Sequence, residues 1–118
     1  MKVLEYNSDP RIEILLTKNI SDFATDTLPP LVDIDEYNSF KTEKRKLEHV
    51  SARFALCRLL KRWGLDVDQL SVIRDENRAP SLQWLEGLYR SEPLPGISLG
   101  HSGGHVVAAV IEPGWWVG

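Results

Sequence analysis

The stretch "KTEKRKLEHVSARFALCRLLKRW", residues 41–63, decides how the rest of the chain folds. It holds no proline or glycine, is rich in straight-chain residues, and is followed by Gly64, a natural helix stop. At about 100° per residue, Leu47, Val50, Phe54, Leu56, Cys57, Leu60 and Trp63 fill one broad apolar arc. Lys44, Arg58 and Arg62 fall on the opposite face as solvated charges. Arg53 falls inside the arc, where a guanidinium is costly unless paired or bound to an anion. Two readings follow: an ion pair with a carboxylate from another segment, or an anion site at the edge of the core.

The distribution of charge bears on that choice. Residues 1–40 hold eight acidic side chains against Lys2, Arg11 and Lys18. Residues 41–62 reverse this, with eight basic side chains against Glu43 and Glu48. A positive segment within an acidic chain is either a local anion site or a solvated helix face. The net charge of −3 excludes a chain that binds nucleic acid or an anionic membrane by its overall field. Cys57 is the single cysteine, so an internal disulfide is excluded and a reducing cytosol fits. Without a run of about 20 apolar residues or a signal-peptide core, a soluble cytoplasmic protein is expected. At 118 residues there is room for one small domain.

Around the helix the chain reads as short strands. "KVLEY" and "IEILLT" are strands divided by the turn residues Asn7, Ser8, Asp9 and Pro10. "TDTLPPLVDIDEYNSF" is a loop or the approach to a helix, because Pro29 and Pro30 forbid regular structure there. "LSVIRD" is a strand and "ENRAPSL" a turn returning into short structure. "GISLG" and "HVVAAVIE" are strands on either side of a turn at residues 101–104. The expected class is α/β (α+β): a small, antiparallel-rich sheet packed on one long helix.

Gly100-His101-Ser102-Gly103-Gly104 fits the G-x-S-x-G nucleophile elbow letter for letter. An elbow must lead into a helix, and "HVVAAVIE" is β-branched and strand-forming. Only fourteen residues follow Gly104, too few for the remaining triad members, and His105 stands too near the serine to act as base. A serine hydrolase is therefore set aside. The same glycines leave backbone N–H groups open to an anion, with His101 and Ser102 as neighbouring donors. A plain glycine-rich hairpin turn would look the same. Arg78, in the turn before Pro80, and Arg53 supply further cationic donors.

In that order, "KRKLEHVSARFALCRLL", "LSVIRDENRAPSL" and "ISLGHSGGHVVAAVI" resemble the first half of the Sfp-type 4'-phosphopantetheinyl transferases. The basic helix with an A-R or G-R pair is similar to Ala52-Arg53. The G-[KR]-[AP]-P turn is matched by Asn77-Arg78-Ala79-Pro80, and the S-H-S-x-G turn by Gly100-His101-Ser102-Gly103-Gly104. The resemblance runs from about residue 41 to the end. It implies two similar α/β halves and a Mg²⁺-dependent transfer of phosphopantetheine from coenzyme A to a serine of an acyl or peptidyl carrier protein, a holo-acyl-carrier-protein synthase activity. Carried over by motif, Arg53, Arg78 and His101 would contact the phosphates of coenzyme A. Ser102 would shape or donate within its turn, and Lys44 and Arg45 would add to the basic rim.

Three departures accompany the likeness. Gly100 stands where the family has serine, removing one hydroxyl. Asn77 replaces a glycine, and asparagine tolerates the left-handed backbone such a turn needs. The chain stops at Gly118, before the family's G-[IV]-D-[IVL]-E motif, so the resemblance places the metal ligands and the catalytic base outside it. The expectation is an N-terminal half, residues 1–118, that binds coenzyme A, holds no metal, and is inactive alone. Its exposed "VVAAVIEPGWWV" and open sheet edge would require the missing half or a second copy. The alternative is a non-catalytic split or degenerate half-domain that binds a nucleotide or a carrier protein.

Overall fold

A computed structural model describes residues 11–18, 28–85 and 93–113. Thr42 opens the long helix α2 (Glu43–Arg62), its hydroxyl accepting from Arg45 N–H at 3.2 Å. Glu43 lies in the first turn and Lys61 and Arg62 in the last, each complementing the helix dipole. The helix ends in a Schellman motif. Gly64 takes φ +78°, its N–H bonds Lys61 C=O, and Leu65 N–H bonds Leu60 C=O. Ahead of it runs a short helix, α1 (Ile34–Ser39), capped by Asp33, whose Oδ1 accepts from Glu36 N–H.

The strands form two antiparallel units. One is a three-stranded sheet, β1 (Ile12–Lys18), β5 (His105–Ile111) and β4 (Gly96–Ser102), with β5 in the centre. The other is a hairpin of β2 (Leu70–Arg74) and β3 (Pro80–Trp84), with β3 lying beside β4. Register decides which side chains meet α2. Leu15, Ala108 and Leu99 align across the sheet and join the core with Val106, Val110 and Ile97. Against them α2 sets Ala55, Leu56, Leu59 and Leu60. This is the mixed α+β architecture expected, a small antiparallel sheet on one long helix.

Three local expectations change. Phe54 was placed in the buried arc, yet it is 37% exposed while Leu59 is fully buried. The helix is covered from more than one direction, so no single face describes its burial. On one side lies the sheet; on another, Cys57 Sγ donates to Pro30 C=O and Asp33 N–H donates to His49 Nε2. Secondly, the apolar run after His105 is not an exposed surface. Val106, Ala108, Ala109, Val110 and Ile111 are buried because β5 is the central strand. The exposed apolar ladder is on the flanking strand β1, where Ile14 and Leu16 are 64% and 68% exposed. "KVLEY" and residues 114–118 lie outside the described residues. Among the described residues, no helix is long and apolar enough to cross a membrane.

The third change concerns the turn at residues 101–104. Strand β4 continues through His101 and Ser102, which pair with Val106 and His105. Only Gly103 and Gly104 form the connection, at φ +57° and +81°, the two-residue type I′ geometry of a tight hairpin. Strand alternation then sends His101 to the α2 side of the sheet, and Gly100 and Ser102 to the other.

Candidate functional site

The N-terminal half of α2, α1, β2 and β4 enclose two adjoining cavities. The smaller, about 100 Å³, is lined by Arg45, Glu48, Arg53, Arg74 and His101, among others. The larger, about 330 Å³, is lined by Asp33, Glu36, Arg53, Arg74 and Arg78, with Val72 and Ile73. Glu36, Arg53 and Arg74 border both.

Arg53 is the most unusual side chain of the site. It is 2% exposed, and its Nε and Nη1 have no hydrogen-bond partner. No carboxylate among the described residues forms an ion pair with it, and Glu36 and Asp33 act on it as nearby charges. Burial first, and then the charge of Arg74, lower its pKa to about 10, with Glu36 and Asp33 acting the other way. The guanidinium therefore remains charged at neutral pH. A buried cation without a partner is strongly unfavourable, and a bound anion would remove most of that penalty.

Arg78 is placed by a different device. It sits at φ +67°, the left-handed region, whereas Asn77 was expected to carry that conformation. Asp75 builds the turn. Its Oδ1 accepts from Asn77 N–H at 2.8 Å and from Ala79 N–H at 2.9 Å, and its C=O accepts from Arg78 N–H at 2.9 Å. Arg74 Nη1 then donates to Arg78 C=O at 2.8 Å. Holding a non-glycine residue there costs about 1 kcal/mol, a strain that concentrates at working sites. The Arg78 guanidinium is largely exposed, with Nη2 3.7 Å from Glu36 Oε1; Arg74 Nε stands 3.6 Å from the other oxygen of Glu36. Both separations are ion pairs without hydrogen-bond contact.

At the other end, His101 Nδ1 lies 3.2 Å from Glu48 Oε2. Glu48 is buried, and Arg45 Nε stands 3.8 Å from its second oxygen, with the Arg45 guanidinium 5.2 Å above the Phe40 ring. His49 is also buried. Burial, reinforced by the charge of Arg53, lowers its pKa to about 4, which suits the Nε2 that accepts from Asp33 N–H.

Of the residues singled out by sequence, Arg45, Arg53 and His101 line the smaller cavity, and Arg53 and Arg78 the larger. Lys44 and Ser102 are exposed and line neither. Glu36, Glu48, His49 and Arg74 were missed. Glu48 carried one signal, a carboxylate at i+3 from Arg45 on the helix that presents Arg53. Gly100 borders the smaller of the two cavities with its backbone. A Cβ there would meet Val107 Cγ1 at 3.3 Å, on the far face of the sheet, so a serine hydroxyl would not point into them. Among the described residues no group of three or more His, Cys, Asp or Glu could hold a metal ion. Compared with known proteins, the chain matches no family model and no curated protein.

Proposed function

We propose that this chain is the coenzyme-A-binding half of a 4'-phosphopantetheinyl transferase. In this reading Arg53 holds a coenzyme A phosphate from the core side, Arg78 reaches it from the strained turn, and His101 closes the opposite wall with Arg45 at the rim. The acceptor is the serine of an acyl or peptidyl carrier protein. Mg²⁺ and the base that activates the serine belong to the complete enzyme and are assigned to none of these residues.

The observation that carries the reading is the buried Arg53 beside two cavities, with its Nε and Nη1 unpartnered. Around them four arginines (45, 53, 74 and 78) face three carboxylates (Asp33, Glu36 and Glu48), a positive balance that His101 increases whenever it is protonated. Arginine suits this task because its planar fork makes paired contacts with phosphate oxygens. The decisive experiment is a coenzyme A titration of the wild type beside Arg53→Ala and Arg78→Ala. Affinity should fall at least about tenfold in each variant, the loss expected for a charged hydrogen bond. Unchanged affinity in both removes the assignment.

A further inference from the structure

Glu48 and Arg53 present opposite hydrogen-bonding needs to one small cavity. They are 6% and 2% exposed, and both line the cavity of about 100 Å³. Glu48 Oε2 is engaged by His101, but Oε1 has no hydrogen-bond partner, with Arg45 Nε too distant at 3.8 Å. Arg53 Nε and Nη1 are equally unpartnered. A carboxylate only accepts and a guanidinium only donates. An occupant that satisfies both must therefore carry a donor and an acceptor.

A fully deprotonated dianion meets only half of that requirement. It satisfies Arg53 and sets lone pairs against the buried charge of Glu48. A phosphate bearing one proton meets both halves, since P–OH donates to the carboxylate while the remaining oxygens accept from the guanidinium. The second pKa of a phosphate ester lies at about 6, so this form is populated near neutrality. Sulfate has no proton to offer there. The cavity of about 100 Å³ has room for a phosphate group, and it adjoins the larger one through Glu36, Arg53 and Arg74.

We infer that this cavity takes a singly protonated phosphate group, with Glu48 Oε1 accepting its P–OH and Arg53 donating to its other oxygens, and so distinguishes phosphate from sulfate. The inference rests on the proposed function in taking the ligand to be a phosphate, and it adds the protonation state and the residue that selects it. Other charged or titratable groups face the same space: Arg45 and His49 on α2, Glu36 on α1, Arg74 on β2 and His101 on β4. A pH series would move several of these together, so the comparison is made between anions at one pH.

The test is calorimetric titration of the full chain with inorganic phosphate and with sulfate at about pH 6.5, for wild type and Glu48→Gln. The wild type binds phosphate at least about tenfold more tightly than sulfate, the discrimination expected when one charge-assisted hydrogen bond is lost. Glu48→Gln, whose amide can donate, gains sulfate affinity and closes the gap. Because Glu48 is buried and the variant can misfold, the ¹³C shift of the wild-type Glu48 carboxyl is followed as well. It moves with phosphate and stays with sulfate. Equal affinities in the wild type, or a gap that persists in folded Glu48→Gln, overturn the inference. Coenzyme A binding that inorganic phosphate does not compete with also overturns it, and leaves the proposed function standing. Phosphate selectivity without coenzyme A binding does the reverse. If neither ligand binds, both fall.

Discussion

The two halves of α2 are built from the same backbone and solve opposite problems. Residues 55–60 bury Ala55, Leu56, Leu59 and Leu60 against the strands, and every one of them is an apolar side chain in an apolar core. Residues 45–53 bury Val50 together with the polar Glu48, His49, Ser51 and Arg53, and Glu48 and Arg53 retain polar atoms with no partner. The second arrangement is what a folding problem alone would not select. Arg53 and Ala55, two positions apart, mark the boundary between the polar part of the helix and the part that holds the domain together.

The largest contrast between the halves is in stability. Leu60→Ala should destabilise the chain by about 2–5 kcal/mol, through lost burial and the remaining cavity. Arg53→Met, similar in length and uncharged, should leave stability unchanged or raise it by about 1–4 kcal/mol, because it removes an unpaired buried charge. It should also abolish coenzyme A binding. Chemical denaturation of the two variants measures the difference, and a strongly destabilised Arg53→Met would erase the distinction between the halves.

Acid should then act through the polar half. The pKa of His49 is lowered from 6.5 to about 4 in the folded chain. The unfolded chain therefore takes up a proton in that interval and the folded one does not. The stability contribution is present above pH 6.5, falls as pH drops towards about 4, and is then exhausted. Its size is on the order of 2 kcal/mol, allowing for partial screening by solvent. His49→Gln keeps an acceptor for Asp33 N–H but cannot titrate, and it should flatten the stability profile across that window. A profile with the same slope in both proteins would assign the acid response elsewhere.

Two smaller effects refine the outline of the site. Arg78→Gly should hold or gain stability by about 1 kcal/mol through release of the left-handed strain, while coenzyme A affinity falls. A loss of both would make Arg78 a structural residue. Gly100→Ser should change affinity least, by less than about twofold, the effect of a side chain that makes no contact with the ligand. A clear gain in affinity would show that β4 can turn that face inward.

Much of this architecture was legible because it is local. The unbroken helix-forming run of residues 41–63, the stop at Gly64 and the β-branched content of "HVVAAVI" are local signals, and the elements follow from them. Arg53 was legible too, as a charge inside an apolar arc. What remained hidden depends on distant segments or on backbone choice. Glu36 and Arg74 meet only when α1 and β2 are brought together. Phe54 and Leu59 exchanged places because α2 is covered from several sides, which a single-arc pattern does not describe. The left-handed residue moved from Asn77 to Arg78 because Asp75 satisfies the N–H groups of Asn77 and Ala79.

The contact between Cys57 and Pro30 has a practical consequence. The sole thiol of the chain is buried, its pKa is raised to about 11 by that burial, and it donates to the segment that leads into α1. A thiol in that state is inert to alkylating reagents while the segment stays in place. Its labelling rate is consequently a clock for the opening of the wall that carries Glu36. A ligand that seals the cavities would slow that clock, with no dye, tag or added residue needed to read it.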